Sequence, residues 1–269
     1  MAEAILKGVL TAKLAGSQDI SVGEPVAERR DLLSQEFGVS TTDNNLEAIK
    51  GADLVILAIK PQDLPSLFDQ LKGKLDSAQT ALSIIAGAKI STLVQGLKHG
   101  AIIRVMPNTP AQIGEGMSVW TCAKEVGQQA RDLAQAVLDT VGREIYVDDE
   151  KYLDMATAVS GSGPAYVFLI IEALIDAGVY VGLPREVARI AALQTVYGST
   201  KLVMESGKHP AELKAMVVSP AGTTAEGLQT LERAGVPAAI VDAVNAAYLK
   251  SIKLGQEQVG PKIEEGPLA

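Results

Sequence analysis

Two short runs carry the residue types best suited to hold a small anionic ligand: Ser219-Pro-Ala-Gly-Thr-Thr224 and Ser160-Gly-Ser-Gly-Pro164. Each stands immediately before a helical pattern. In the second run, capping accounts well for the residues, with Ser162 or Gly163 ahead of a proline in the first turn. In the first run capping accounts for less. Ser219, Gly222, Thr223 and Thr224 supply small residues, exposed backbone N–H groups and hydroxyls at a positive helix end, which together suit a carboxylate.

Three further segments lie where apolar strand patterns stop. The run Asp53-Leu-Val-Ile-Leu-Ala-Ile-Lys60 suits a strand buried on both faces, and Pro61 ends it. Lys60 there reads equally well as a solvated strand-end lysine. The next strand, Ala81 to Ile85, ends in Ala86-Gly87-Ala88, small enough for a flat ligand or another backbone to come close. The third, Ile102 to Met106, runs into Pro107-Asn108-Thr109-Pro110, where prolines fix the loop and Asn108 and Thr109 offer hydrogen bonds. Such ends lie at the edge where open α/β sheets take their ligands, which points to a cofactor lying across them.

Other chemistries lack their parts. His99 and His209 stand in no nucleophile motif, no paired-carboxylate spacing occurs, and Cys122 sits in a strand-like run. One cysteine and two histidines make neither a disulfide framework nor a metal cage, so no metal is expected. A layout for hydride transfer remains, in which a bound cofactor carries the chemistry.

The elements that must position these segments alternate between strand and helix periods up to about residue 148: helices at Ala2 to Ala15, Pro25 to Phe37 and Lys124 to Val141, and further strands at Ile20 to Gly23, Val39 to Thr41, Met117 to Thr121 and Ile145 to Val147. Beyond Asp148 strand signals vanish, and helical stretches run to Leu254. The expected fold class is therefore α/β, a doubly wound, Rossmann-like parallel sheet over residues 1–148, followed by an all-α substrate-binding and dimerisation domain over residues 149–269. The apolar run Ala165 to Leu183 carries Glu172 and Asp176, so a buried helix is expected rather than a membrane span. With 47% hydrophobic but only 4% aromatic residues, the core is built from aliphatic side chains. A net charge of -8 excludes nucleic acid as a partner. The N-terminus lacks the marks of a signal peptide, and a cytoplasmic setting is expected. The pattern begins inside a helix at residue 1, without the strand and glycine-rich turn that open such folds, so the sheet is expected to lack its first strand.

Taken together these residues resemble pyrroline-5-carboxylate reductases over essentially the whole chain. Ser160-Gly-Ser-Gly-Pro-Ala-Tyr166, Gly182-Leu-Pro-Arg185 and Ser219-Pro-Ala-Gly-Thr-Thr224 occur in that family's order and spacing, Ala58-Ile-Lys-Pro61 resembles its A-V-K-P strand end, and Met1-Ala-Glu-Ala-Ile resembles the stretch following its phosphate loop. The resemblance implies NAD(P)H-dependent reduction of the imine of 1-pyrroline-5-carboxylate to L-proline. It implies a cofactor bordered by Asn45, Ala58, Ile59, Lys60, Pro61, Ile85, Ala86, Gly87, Met106, Pro107, Asn108 and Glu150. It also implies that the amides of Thr223 and Thr224 hold the substrate carboxylate, with the Thr224 hydroxyl, the expected catalytic group, on the ring nitrogen. Ala221 departs from the family's usual glycine. Residues ahead of Met1 are expected in the native protein, supplying the missing strand and loop.

NADPH is the expected cofactor by that resemblance, with NADH left open: Glu24 could accept a ribose 2′-OH, whereas Arg29 or Arg30 could neutralise a 2′-phosphate. A homodimer or larger homo-oligomer through the helical half is expected, with no membrane partner. Two rival readings are a non-catalytic dimeric nucleotide-binding protein that has lost its phosphate loop, and a β-hydroxyacid-dehydrogenase-like reductase. The latter needs a lysine on the first long helix of the helical half, and none falls between Tyr152 and Gly198.

Overall fold

The computed structural model describes residues 1–257. They fall into two compact units, Met1–Ser162 together with the chain from Ala247 onward, and Gly163–Ala246. The first unit runs α1 (Ala2–Thr11), β1 (Ser21–Gly23), α2 (Ala27–Phe37), β2 (Ser40–Thr42), α3 (Asn45–Ala48), β3 (Leu54–Leu57), α4 (Leu64–Leu71), β4 (Thr80–Ser83), α5 (Ile90–Leu97), β5 (Ile102–Met106), β6 (Gly116–Cys122), α6 (Gln128–Asp139), β7 (Gly142–Tyr146) and α7 (Lys151–Ala156). A π-helical turn, Thr157–Gly161, follows directly.

The sheet is in two pieces. β1 and β2 pair in parallel, while β3, β4, β5, β6 and β7 form a five-stranded sheet in sequence order. The core continues beneath both pieces, because Ala4, Ile5 and Val9 of α1 pack with Ile20 on one side and with Leu54 and Ile56 of β3 on the other. All pairs are parallel except β5 with β6. That exception departs from the parallel sheet read from the sequence, and its cause is the connection. Pro107 to Glu115 holds only a 3-10 turn, whereas a parallel crossover takes about a dozen residues or more.

Neighbouring strand residues serve opposite faces, as the two-residue period requires. Ala81 and Ile102 join Leu64, Leu67, Leu71, Leu93 and Leu97 from α4 and α5. Leu82 and Ile103 join Trp120, Ala134 and Leu138 on the other side. This two-sided burial explains the continuous apolar runs.

The second unit is entirely helical: α8 (Gly163–Tyr180), α9 (Arg185–Ser206), α10 (Pro210–Met216), α11 (Thr223–Arg233) and the first part of α12 (Val236–Glu257), whose last turns belong to the first unit. α8 and α9 cross tightly at Gly178, where a Cβ would stand 2.8 Å from that of Ala188. The expectation that the apolar run forms a buried helix is corrected here. No residue of α8 is buried within the chain, and Phe168 and Leu169 remain 60% and 66% exposed. A unit built from so few helices has too little partner surface to cover a helix that is apolar around its circumference. The continuous helix over residues 151–180 is long and apolar enough to cross a membrane by length and composition alone.

Candidate functional site

The sheet's carboxyl edge is built from strands too short to carry their own apolar patterns to the end, so Ala58, Ile59 and Lys60 lie past β3 in a loop that Pro61 turns into a short 3-10 turn. Past β4, Ile85 is buried, and Gly87 takes φ +76, a left-handed turn at which a side chain would be strained. Past β5, Met106 and Pro107 lead to Asn108. Topology places these three loops at the ends of adjacent parallel strands. Asn45 lies at the matching end of β1, where its Oδ1 would be 2.5 Å from a Cβ on Gly23, and its Nδ2 donates to Gln70 Oε1 at 2.9 Å.

The polar side chains of this edge are largely engaged with the protein itself. Asn108 accepts from the Met117 amide at 2.8 Å and donates to the Ser160 carbonyl at 3.0 Å, joining β6 to the π-helical turn. The two segments also touch, since a Cβ on Gly161 would stand 2.8 Å from the Met106 methyl. Single π turns recur near functional sites, and here the widened turn backs the loop after β5. Glu24 accepts from the Val26 amide at 3.0 Å, Arg30 donates to the Glu24 and Pro25 carbonyls at 2.8 and 2.9 Å, and Arg29 pairs with Glu3. The three charges read as candidates for choosing between ribose and its phosphate thus all have protein partners.

The Arg29–Glu3 pair also joins the first turns of α1 and α2, so two positive helix ends stand side by side. Two helix N-termini, a glycine turn without a Cβ and three strand-end loops fit a dinucleotide with its pyrophosphate.

Glu150, at the start of α7, accepts from the Ile90 amide at 2.7 Å and from Arg104 Nη1 at 2.9 Å. Arg104 was missed in the sequence reading. It lies in the middle of β5, 3% exposed, and its Nη2 donates to Asp154 Oδ1 at 3.1 Å, an oxygen that also accepts from Ser251 Oγ at 3.0 Å. The available signal was a guanidinium inside Ile102-Ile103-Arg104-Val105, which must find carboxylates, together with acids four residues apart at Glu150 and Asp154, on one helical face. Beside them, hydrogen bonds from the Lys151 side chain and amide hold the Asp149 carboxyl below its ordinary range.

The second unit holds the other expected residues. Gly222 caps α11 without a side-chain hydrogen bond, and its amide donates to the Ser219 carbonyl at 3.0 Å. Among the described residues no partner is recorded for the amides of Thr223 and Thr224, the first two of the helix. Ala221, just before them, sits at φ +57. The departure from glycine thus falls on a left-handed backbone. Ser219, Gly222, Thr223 and Thr224 therefore gather at one helix end, while the expected cofactor residues gather on the strand edge of the first unit.

Known proteins resemble the chain throughout. Residues 150–254 match the family described as pyrroline-5-carboxylate reductase dimerisation, and residues 1–87 match one described as NADP oxidoreductase, coenzyme F420-dependent. A pyrroline-5-carboxylate reductase of Synechocystis is 43% identical over 257 residues, covering 96% of each chain. One from Arabidopsis thaliana is 40% identical, over 95% of this chain and 92% of its own. Among solved structures, the enzyme from Coxiella burnetii superposes with a TM-score of 0.87 at 30% identity, and that from Plasmodium falciparum, with NADP bound, with 0.85 at 33%; both comparisons cover 94% of each chain. With relatives this similar along nearly its full length, the chain belongs to the pyrroline-5-carboxylate reductase family.

Proposed function

We propose that this protein reduces 1-pyrroline-5-carboxylate to L-proline, with the start of α11 as its substrate grip. The observation that carries this reading is the uncapped start of that helix. The amides of Thr223 and Thr224 point out of a positive helix end with no partner recorded among the described residues, a ready site for a carboxylate. The Thr224 hydroxyl, one residue into the helix, contacts the ring nitrogen and is the catalytic group of the site. Ser219 and Gly222 shape the turn that presents them.

The nicotinamide supplies the hydride. A protonated cyclic imine is already electrophilic, so the chain's task is to hold and orient it rather than to donate an acid or a metal. Thr223 and Thr224 fix the carboxylate, which sets the face of the ring. Asn45, Ala58 to Pro61, Ile85 to Gly87, Met106 to Asn108 and Glu150 border the cofactor: residues 1–148 serve the cofactor together with Glu150 from just beyond them, and the remainder of 149–269 serves substrate and dimerisation.

The preferred cofactor is NADPH. Arg30, whose guanidinium reaches from α2 to the Glu24 carbonyl just past β1, and the NADP in the Plasmodium relative support this choice. The protein is a cytoplasmic homodimer or larger homo-oligomer. The apolar side chains that α8 leaves exposed, Phe168 and Leu169 among them, and the match to a dimerisation family support self-association through the helical unit. An NAD(P)H-oxidation assay with pyrroline-5-carboxylate tests the activity. Turnover with NADPH exceeding that with NADH is expected, and absence of turnover with either would overturn the reading.

A further inference from the structure

We infer that Arg104 is a positioning residue for the nicotinamide cofactor: through Glu150 and Asp154 it fixes the loop between β4 and α5 from two sides. The inference rests on the reading that Ile85, Ala86 and Gly87 border the cofactor.

A guanidinium buried in an apolar strand is costly to desolvate, and well-packed apolar side chains of similar size commonly serve stability as well or better. What Arg104 supplies that an apolar residue cannot is direction. Its planar fork addresses two carboxylates at once, with Nη1 to Glu150 at 2.9 Å and Nη2 to Asp154 at 3.1 Å. Glu150 uses the same oxygen, Oε1, to hold the Ile90 amide at 2.7 Å, the first residue of α5. The loop from Ile84 to Lys89 is thereby fixed at both ends, because the Ile84 amide already donates to Leu57 at the other.

The second arm reaches the same loop by another path. Asp154 accepts from Ser251 on α12 at 3.0 Å. One turn further along α12 is Gly255, where a Cβ would stand 3.1 Å from the Gly87 carbonyl and 3.3 Å from the Lys89 side chain. Residues four apart share a helix face, so the hydroxyl that anchors α12 and the glycine that lets it approach the loop work together. Arg104 itself lies two residues before Met106 on β5, which ties the neighbouring loop to the same framework.

NADPH titration by fluorescence, together with steady-state kinetics, on Arg104→Lys, Glu150→Ala and the double variant tests the inference. A lysine keeps the charge but not the fork. Arg104→Lys is expected to raise the cofactor Kd and KM about tenfold. The KM for pyrroline-5-carboxylate, and kcat at saturating cofactor, should stay within about twofold. The double variant should lose less than the product of the single losses, since both residues act on one loop. A folded Arg104→Lys protein with an unchanged cofactor Kd, or losses that multiply in the double variant, would overturn the inference. Should Arg104→Lys fail to fold, Ser251→Ala decides: removing its hydroxyl should raise the cofactor Kd about threefold, and no change overturns the positioning role. Wild-type protein that binds no NADPH would instead bring down the assignment of the cofactor edge itself.

Discussion

The strand edge of the first unit and the helix start at Thr223 are both ligand-type surfaces, yet they are made in opposite ways. At the edge, Asn108, Glu150 and Arg104 have their polar atoms engaged with the protein, leaving shape and backbone to meet a ligand. At Thr223 and Thr224 the helix end carries no side-chain cap, and the donors remain available. A large cofactor can be gripped over many atoms by a rigid surface, whereas a small imino acid offers few and must be gripped by donors held in reserve.

The largest effect is expected at the rigid surface. Asp154→Ala leaves the buried guanidinium of Arg104 short of one carboxylate, and should lower unfolding stability by about 3 to 5 kcal/mol, read from urea denaturation. A loss below about 1 kcal/mol would mean the edge is not held by this network. Next, Thr224→Ala should cut kcat/KM about 10- to 100-fold with the melting temperature retained. Equal kinetics would take Thr224 out of the mechanism and erase the distinction between the two surfaces. Asn108→Ala strands the Met117 amide and the Ser160 carbonyl and should destabilise by about 1 to 3 kcal/mol. If it weakened cofactor binding with no thermal cost, Asn108 would be a ligand contact and not a clamp. The smallest effect belongs to Ala221→Gly. Relief of the left-handed alanine should stabilise the turn by up to about 1 kcal/mol, and a lowered melting temperature would speak against strain there.

Much of this layout was legible in the sequence because it rests on local chemistry. Proline and glycine punctuate the helix starts and stops: Pro210 opens Pro210–Met216, Gly222 caps Thr223–Arg233, and Gly38 closes α2 in the left-handed region just after Phe37, the end read from the sequence. Ile102–Met106 was read with its full bounds. What escaped depends on tertiary distance. Nothing near Asn108 in sequence says that its amide bridges β6 and the π turn, and Arg104 meets its acids across 46 and 50 residues. The antiparallel β6 was hidden for a simpler reason: strand direction is set by connection length, which the apolar pattern of Met117 to Thr121 does not record. The exposure of α8 was misread because composition alone cannot tell a helix covered by its own chain from one left uncovered.

The Asp154–Ser251 bond spans 97 residues, and the whole of the helical unit lies between its ends. A ribosome adding about 5 to 20 residues per second therefore emits Asp154 some 5 to 20 s before Ser251. During that interval the nascent sheet has its arginine and both acids but not the hydroxyl that ties in α12, so the second arm of the network closes only after the whole helical unit has been made.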